Sequence, residues 1–242
     1  MKRLFLTAMA AGAGIILAST AGVRGAILYQ DTATPNGQVL NIPNNTTVGE
    51  QIWLGTGTTP MYLTNFSFEY YSPYISYFGA PNVLMDVQLF ANTGTKTNGY
   101  NTPAASPFFD SGNFTLTDPW IVANTNSATM NFNLSSLLSG NTISIIPFVA
   151  LPSNFTFAVT ISGLQAADAV GLPIFGSPSV GYNAGDYWYD VSGNWELLTN
   201  TIGNIQFGAQ FLGTAPEPSV LCLGALGAAT LTFMARRRQR RG

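Results

Sequence analysis

The segment from Asp186 to Glu196 concentrates the side chains that could do chemistry. Three acidic and four aromatic residues lie in it: Asp186, Tyr187, Trp188, Tyr189, Asp190, Trp195 and Glu196. Aromatic faces stack on sugar rings, and carboxylates hold sugar hydroxyls or Ca²⁺, although this spacing does not match an EF-hand loop. A β-hairpin that turns at Ser192-Gly193-Asn194 would account for the same pattern. We expect a hairpin, with a sugar contact and a cation site as alternatives.

Glycoside hydrolysis is a second chemistry to consider, because it needs only two carboxyl groups, about 5 to 9.5 Å apart across a cleft. Eight acids supply candidates by residue type: Glu50, Glu69, Asp86, Asp110, Asp168, Asp186, Asp190 and Glu196. Acidic residues are few, and we expect most of them to lie on the solvated surface. Catalysis is therefore the least favoured function, and we expect no enzyme, no cofactor and no metal centre.

Two features of the composition exclude other classes of active site. The chain has no histidine, which excludes Ser-His-Asp catalysis and His-ligated metals. Its single cysteine, Cys222, lies in an apolar run near the C-terminus. Residues 26–213 can therefore form no intrachain disulfide and hold no cysteine nucleophile.

The charge of the central region differs from that of the whole chain. Residues 26–213 hold ten acidic residues against one basic residue, Lys96, which gives a net charge of −9. The other eight basic residues lie in the terminal segments. Because binding to phosphate backbones needs clustered Lys and Arg, we expect no nucleic-acid partner.

Alternation with a period of two predicts β-strands in this central region. Apolar and polar residues alternate over residues 66–71, 83–90, 155–161 and 205–211, between clusters of Gly, Pro, Asn, Ser and Thr. About ten short strands and few helices predict an all-β fold over residues 26–213, an antiparallel β-sandwich that is jelly-roll-like or immunoglobulin-like. The stretch from Asn92 to Pro107 is predicted to be a mobile surface loop.

Both ends of the chain carry the pattern of export signals. Lys2 and Arg3 precede an apolar run, which predicts a helical signal peptide over residues 1–25, cleaved after Ala21 or Gly25, with an uncleaved anchor as the alternative. Near the C-terminus, residues 219–235 carry no charge; as a helix they would span about 25 Å, at the short end of a transmembrane segment. A buried amphipathic helix is the alternative. The arginines that follow would stay cytoplasmic and leave the central region outside: Arg236, Arg237, Arg238, Arg240 and Arg241.

The order of features over residues 214–242 resembles the PEP-CTERM sorting signal of bacterial exported proteins. It comprises the motif Pro216-Glu217-Pro218, the apolar run and the basic end. The resemblance implies recognition by an exosortase-type membrane enzyme, cutting near the motif and transfer to a surface polymer. Four further stretches resemble a recurrent β domain that accompanies such tails, without an activity to carry over: residues 65–71, 110–112, 185–189 and 207–209.

The expected function follows from these features. The chain would be an exported surface or extracellular-matrix protein, first anchored in the inner membrane, with a structural β domain. Its partners would be signal peptidase and the export machinery, an exosortase-type enzyme, the membrane and extracellular polysaccharide. A carbohydrate- or Ca²⁺-binding module is the alternative. A binding module would expose aromatic residues in a planar row on one sheet face, whereas a structural protein would bury them.

Overall fold

The computed structural model describes residues 25–33, 35–55, 61–74, 83–116, 127–134, 149–199 and 205–215. In these ranges the chain is all-β, with antiparallel strands in two sheets. No helix of the described ranges is long and apolar enough to cross a membrane. The predicted signal peptide, the sorting motif, the apolar run and the arginines lie outside the described residues.

The first sheet has seven strands. Five follow one another in space: β1 (Ala26–Asp31), β15 (Ala209–Thr214), β4 (Met61–Tyr74), β12 (Ala169–Phe175) and β2 (Pro35–Asn41). Two shorter strands also pair with β4: β9 (Ser127–Asn133) and β10 (Val149–Leu151). Ala26 lies opposite Gly213, so the described chain enters and leaves this sheet at the same end.

The second sheet has eight strands. Six follow one another in space: β14 (Asn194–Leu198), β13 (Tyr182–Val191), β3 (Thr46–Trp53), β11 (Asn154–Ser162), β5 (Leu84–Thr97) and β6 (Tyr100–Pro103). The short strands β7 (Phe109–Asp110) and β8 (Phe114–Thr115) also pair with β5.

The hydrophobic core lies between the two sheets. This arrangement confirms the predicted all-β fold with antiparallel sheets packed as a sandwich. Phe68 of β4 lies 5.3 Å from Phe157 of β11, and Phe155 lies 5.1 Å from Phe211 of β15, measured between ring centroids. The predicted alternations coincide with β4, β5 and β11 and overlap β15. Each fully buried apolar side chain contributes about 1.5–3 kcal/mol, so this aromatic core is the main source of stability.

The predicted loop from Asn92 to Pro107 is wrong over residues 92–103, which form a β-hairpin. β5 continues to Thr97, and Thr97 pairs with Tyr100 of β6. The turn residues Asn98 and Gly99 have φ angles of 50° and 91°. An Asn-Gly turn with two positive φ angles matches the right-handed twist of the strands it joins, and this is why polar residues form a hairpin here.

Candidate functional site

The segment from Asp186 to Glu196 forms the predicted hairpin, which comprises β13 and β14. Its turn residues Ser192 and Gly193 have φ angles of 63° and 86°. Alternation along β13 packs Tyr187 and Tyr189 against the core between the sheets. The sequence thus predicted this hairpin correctly.

Trp188 lies on the opposite, outer face of the second sheet and is nevertheless 0% exposed. It pairs with Gly49, which alternates along β3 with the inward residues Val48 and Glu50. Ala158 continues the same row on β11. The residues beside Trp188 on this face are therefore small, and its complete burial makes this tryptophan part of the fold.

Two hairpins, β13–β14 and β5–β6, cover this outer face. β14 contacts β6, although the two strands lie at opposite ends of the strand order. Trp195 of β14 lies 5.3 Å from Phe90 of β5, and Tyr100 of β6 lies 6.2 Å from Trp53 of β3, between ring centroids. The sheet therefore curls toward its outer side, and this curvature buries Trp188.

Three aromatic residues at the rim of the curled face form what we call the aromatic ledge: Trp53, Tyr100 and Tyr182. The ring of Trp53 lies 5.3 Å from that of Tyr182, at an angle of 53°, and makes an angle of 60° with Tyr100. Tyr182 is 59% exposed, which is unusual for a large apolar side chain. The three rings are thus not coplanar, in contrast to the planar row expected of a flat binding platform.

A row of polar side chains, which we call the amide ladder, crosses the same face: Gln51, Asn92, Asn154 and Thr156. The Thr156 hydroxyl donates to Asn92 Oδ1 at 2.7 Å, and Asn92 Nδ2 donates to Asn154 Oδ1 at 3.2 Å. Gln51 Nε2 donates to the same Asn154 oxygen at 3.4 Å. Gln51 Oε1 is buried without a hydrogen-bond partner among the described residues. Buried polar atoms are normally paired, so this unpaired acceptor is an exception within the ladder.

The remaining predicted site residues are dispersed. Asp186 lies where the register between β13 and β3 shifts, and burial together with the negative charge of Asp186 raises the pKa of Tyr100. Asp190 pairs with Trp195, and Glu196 is exposed on the edge strand β14. Of the seven residues, Asp186 lies beside Tyr100 of the ledge and Trp195 contacts Phe90 on the outer face, while Tyr187, Trp188 and Tyr189 pack into the fold. No group of three or more acidic or cysteine side chains in the described ranges could hold a metal ion.

A cluster of buried polar groups joins the two sheets: Tyr29 and Asp31 of β1, Glu50 of β3 and Asn183 of β13. Glu50 accepts hydrogen bonds from Asn183 Nδ2 and, at 3.1 Å, from the backbone N–H of Phe207. Asn183 Nδ2 also donates to the Tyr29 hydroxyl at 3.3 Å. We expected most acidic residues to lie on the solvated surface. Asp31 and Glu50 do not, because both side chains are buried.

Burial sets the titration of this cluster. It raises the pKa of Asp31 to about 7 and holds the pKa of Glu50 well above its usual range, with the charge of Asp31 adding to the latter shift. The amide N–H groups that face Glu50 act in the opposite direction, because they stabilise the carboxylate. The cluster is enclosed between the sheets, which makes it a structural connection that depends on pH.

The aromatic ledge had no signature in the sequence. Trp53 and Tyr182 are partners across the neighbouring strands β3 and β13, whereas Tyr100, on the edge strand β6, reaches Trp53 only because the second sheet curls. In comparisons with protein-family models, curated proteins and solved structures, nothing matches this chain.

Proposed function

We propose that the chain is an exported bacterial surface or extracellular-matrix protein with a structural β-sandwich. The observation that carries this proposal is the position of the two ends of the domain. Ala26 and Gly213 pair at the same end of the first sheet. The candidate signal peptide and the candidate sorting segment would therefore leave the domain at one end, which is compatible with a domain held at a membrane.

The charge distribution supports the same arrangement. Apart from Lys96, every basic residue lies in the segments before residue 26 and after residue 213. Basic residues that flank apolar segments determine membrane topology, whereas the acidic central region keeps an exported domain soluble. The single domain has no cysteine, so its stability comes from the aromatic core and needs no disulfide.

The C-terminal segment supplies the sorting step in this proposal. Residues 219–235 would form a transmembrane helix, with the arginines in the cytoplasm and Pro216-Glu217-Pro218 at the outer membrane face. Proline cannot continue a helix and restricts the residue before it, so this motif would stay extended and accessible to an exosortase-type enzyme. The protein would then pass from the inner membrane to the cell surface or matrix.

Replacing both prolines of the motif tests the proposal. We expect the variant with Pro216→Ala and Pro218→Ala to accumulate in the inner membrane as a precursor with an intact C-terminus. Pro35→Ala is the matched control, because Pro35 is exposed at the start of β2, and this variant should be processed normally. Fractionation followed by immunoblotting gives the readout, and normal processing of the double variant would contradict the sorting proposal.

A further inference from the structure

We infer that the aromatic ledge and the adjoining amide ladder form a binding site for neutral polysaccharide. The inference concerns the β-sandwich alone and does not depend on how the C-terminal segment is processed. The site differs from the Asp186–Glu196 segment that the sequence singled out, because the tyrosines of that segment and Trp188 are taken up by packing.

The shape of the ledge fits a sugar ring. The C–H groups on the face of a pyranose carry partial positive charge and meet the negative face of an aromatic ring. The ring centroid of Trp53 lies 5.3 Å from that of Tyr182 and 6.2 Å from that of Tyr100. Tyr182 is more than half exposed, so a ligand can contact this side chain at the surface.

The angles between the rings favour a single polysaccharide chain over a crystalline surface. The rings of Tyr182 and Tyr100 are inclined to that of Trp53 by 53° and 60°, whereas a crystalline polysaccharide surface needs coplanar rings. The ligand should therefore be a single soluble chain rather than a crystal face.

The polar groups beside the ledge fit sugar hydroxyls. Gln51 lies two residues before Trp53, so the two side chains point to the same face of β3. Gln51 Oε1 is a buried acceptor without a partner in the described part of the chain, and a sugar hydroxyl could donate to it once the Gln51 side chain turns toward the surface. Asn92 and Asn154 add amide groups that can both donate and accept.

The charges beside the ledge exclude anionic polymers as the preferred ligand. Asp186 lies close enough to Tyr100 for its charge to raise the pKa of that hydroxyl. Lys96, on the β5–β6 hairpin, is the one basic residue between positions 26 and 213. A polyanion needs several clustered cations, which this surface lacks. A neutral chain can bind here without electrostatic repulsion.

Affinity electrophoresis of the full-length chain tests this inference. The protein is purified in a detergent without a sugar headgroup and run in native gels that contain mixed-linkage β-glucan, galactomannan, dextran or alginate. We expect retardation by at least one neutral polymer, less retardation by alginate, and no sedimentation with crystalline cellulose. Retardation by none of the neutral polymers, or stronger retardation by alginate, would overturn the inference.

Variants of Tyr182 locate the site. Tyr182→Ala should weaken binding about tenfold, whereas Tyr182→Phe keeps the aromatic face and should bind within about twofold of the wild type. Ile27→Ala is the matched control, because Ile27 is 40% exposed on the other sheet, and it should bind normally. Equal binding by Tyr182→Ala and Tyr182→Phe would show that the ledge is not the site.

A measurement on the wild type keeps the test independent of the folding of variants. A polymer bound on the ledge should protect Trp53 from quenching by acrylamide, while Trp188, which is fully buried, should not respond. Retardation without any such protection would place the polysaccharide elsewhere on the molecule and refute this site.

Discussion

Replacing Trp188 with alanine should destabilise the domain strongly, although Trp188 lies on the outer face of its sheet. A tryptophan side chain that is fully buried removes about 200 Å² from water, which is worth about 5 kcal/mol. Its Nε1 has no hydrogen-bond partner among the described residues, so its removal returns about 1 kcal/mol or more. The net cost should be about 3–4 kcal/mol.

Thermal unfolding of the full-length chain in detergent measures this effect. All four tryptophans, Trp53, Trp120, Trp188 and Trp195, lie in the central region, so near-ultraviolet circular dichroism reports on this domain and not on the C-terminal segment. For a domain of this size, 1 kcal/mol corresponds to about 2–4 °C in Tm. We expect Trp188→Ala to lower Tm by about 10 °C.

Two controls separate burial from exposure. Trp188→Phe keeps most of the apolar volume and removes the unpaired N–H, so its Tm should stay within about 4 °C of the wild type. Tyr182→Ala removes an exposed ring and should leave Tm almost unchanged. A loss of less than about 2 °C for Trp188→Ala would refute the conclusion that the curled sheet packs over this side chain.

Two further predictions concern stability. Because burial raises the pKa of Asp31 to about 7 and that of Glu50 well above its usual range, the folded state binds protons more tightly than the unfolded chain. The free energy of unfolding should therefore fall as the pH rises from about 4 to about 7, by at most about 1.4 kcal/mol per pH unit and proton. Glu50→Gln should flatten this dependence in melting curves between pH 4 and 8, and an unchanged slope would contradict the titration of Glu50. Gly181→Ala should cost several times more stability than Gly37→Ala: both glycines have positive φ, but a Cβ at Gly181 would lie 2.6 Å from the carbonyl oxygen of Trp53, whereas Gly37 has open space. Equal melting temperatures for these two variants would show that the close approach at Gly181 is absent.

The strands of the core could be predicted because their signal is local. Alternating residues such as Phe66 and Phe68, or Phe155 and Phe157, face one side of a strand wherever that strand lies in the sheet. The hairpin turn at Ser192-Gly193 was also predictable, since its backbone conformation is set by the turn residues themselves. Asn98-Gly99 is the same kind of turn signal. The hairpin was nevertheless missed, because the strand residues on either side of this turn are polar and do not alternate with apolar residues.

The positions of Trp188, Glu50 and the aromatic ledge could not be predicted, because each depends on contacts between distant parts of the chain. Alternation assigns Trp188 to the outer face, but only the curvature of the sheet buries it. Glu50 is held by the backbone N–H of Phe207, which lies 157 residues away. A pattern of neighbouring residues carries no information on such pairs.

The mass of the C-terminus of the protein recovered from its native host tests the proposed function most directly. The account predicts a chain that ends near Pro218, without the apolar run and the arginines, in the surface or matrix fraction. A chain that retains Arg236 to Arg241 and stays in the inner membrane would contradict it, because the C-terminal segment would then be a permanent anchor rather than a sorting signal.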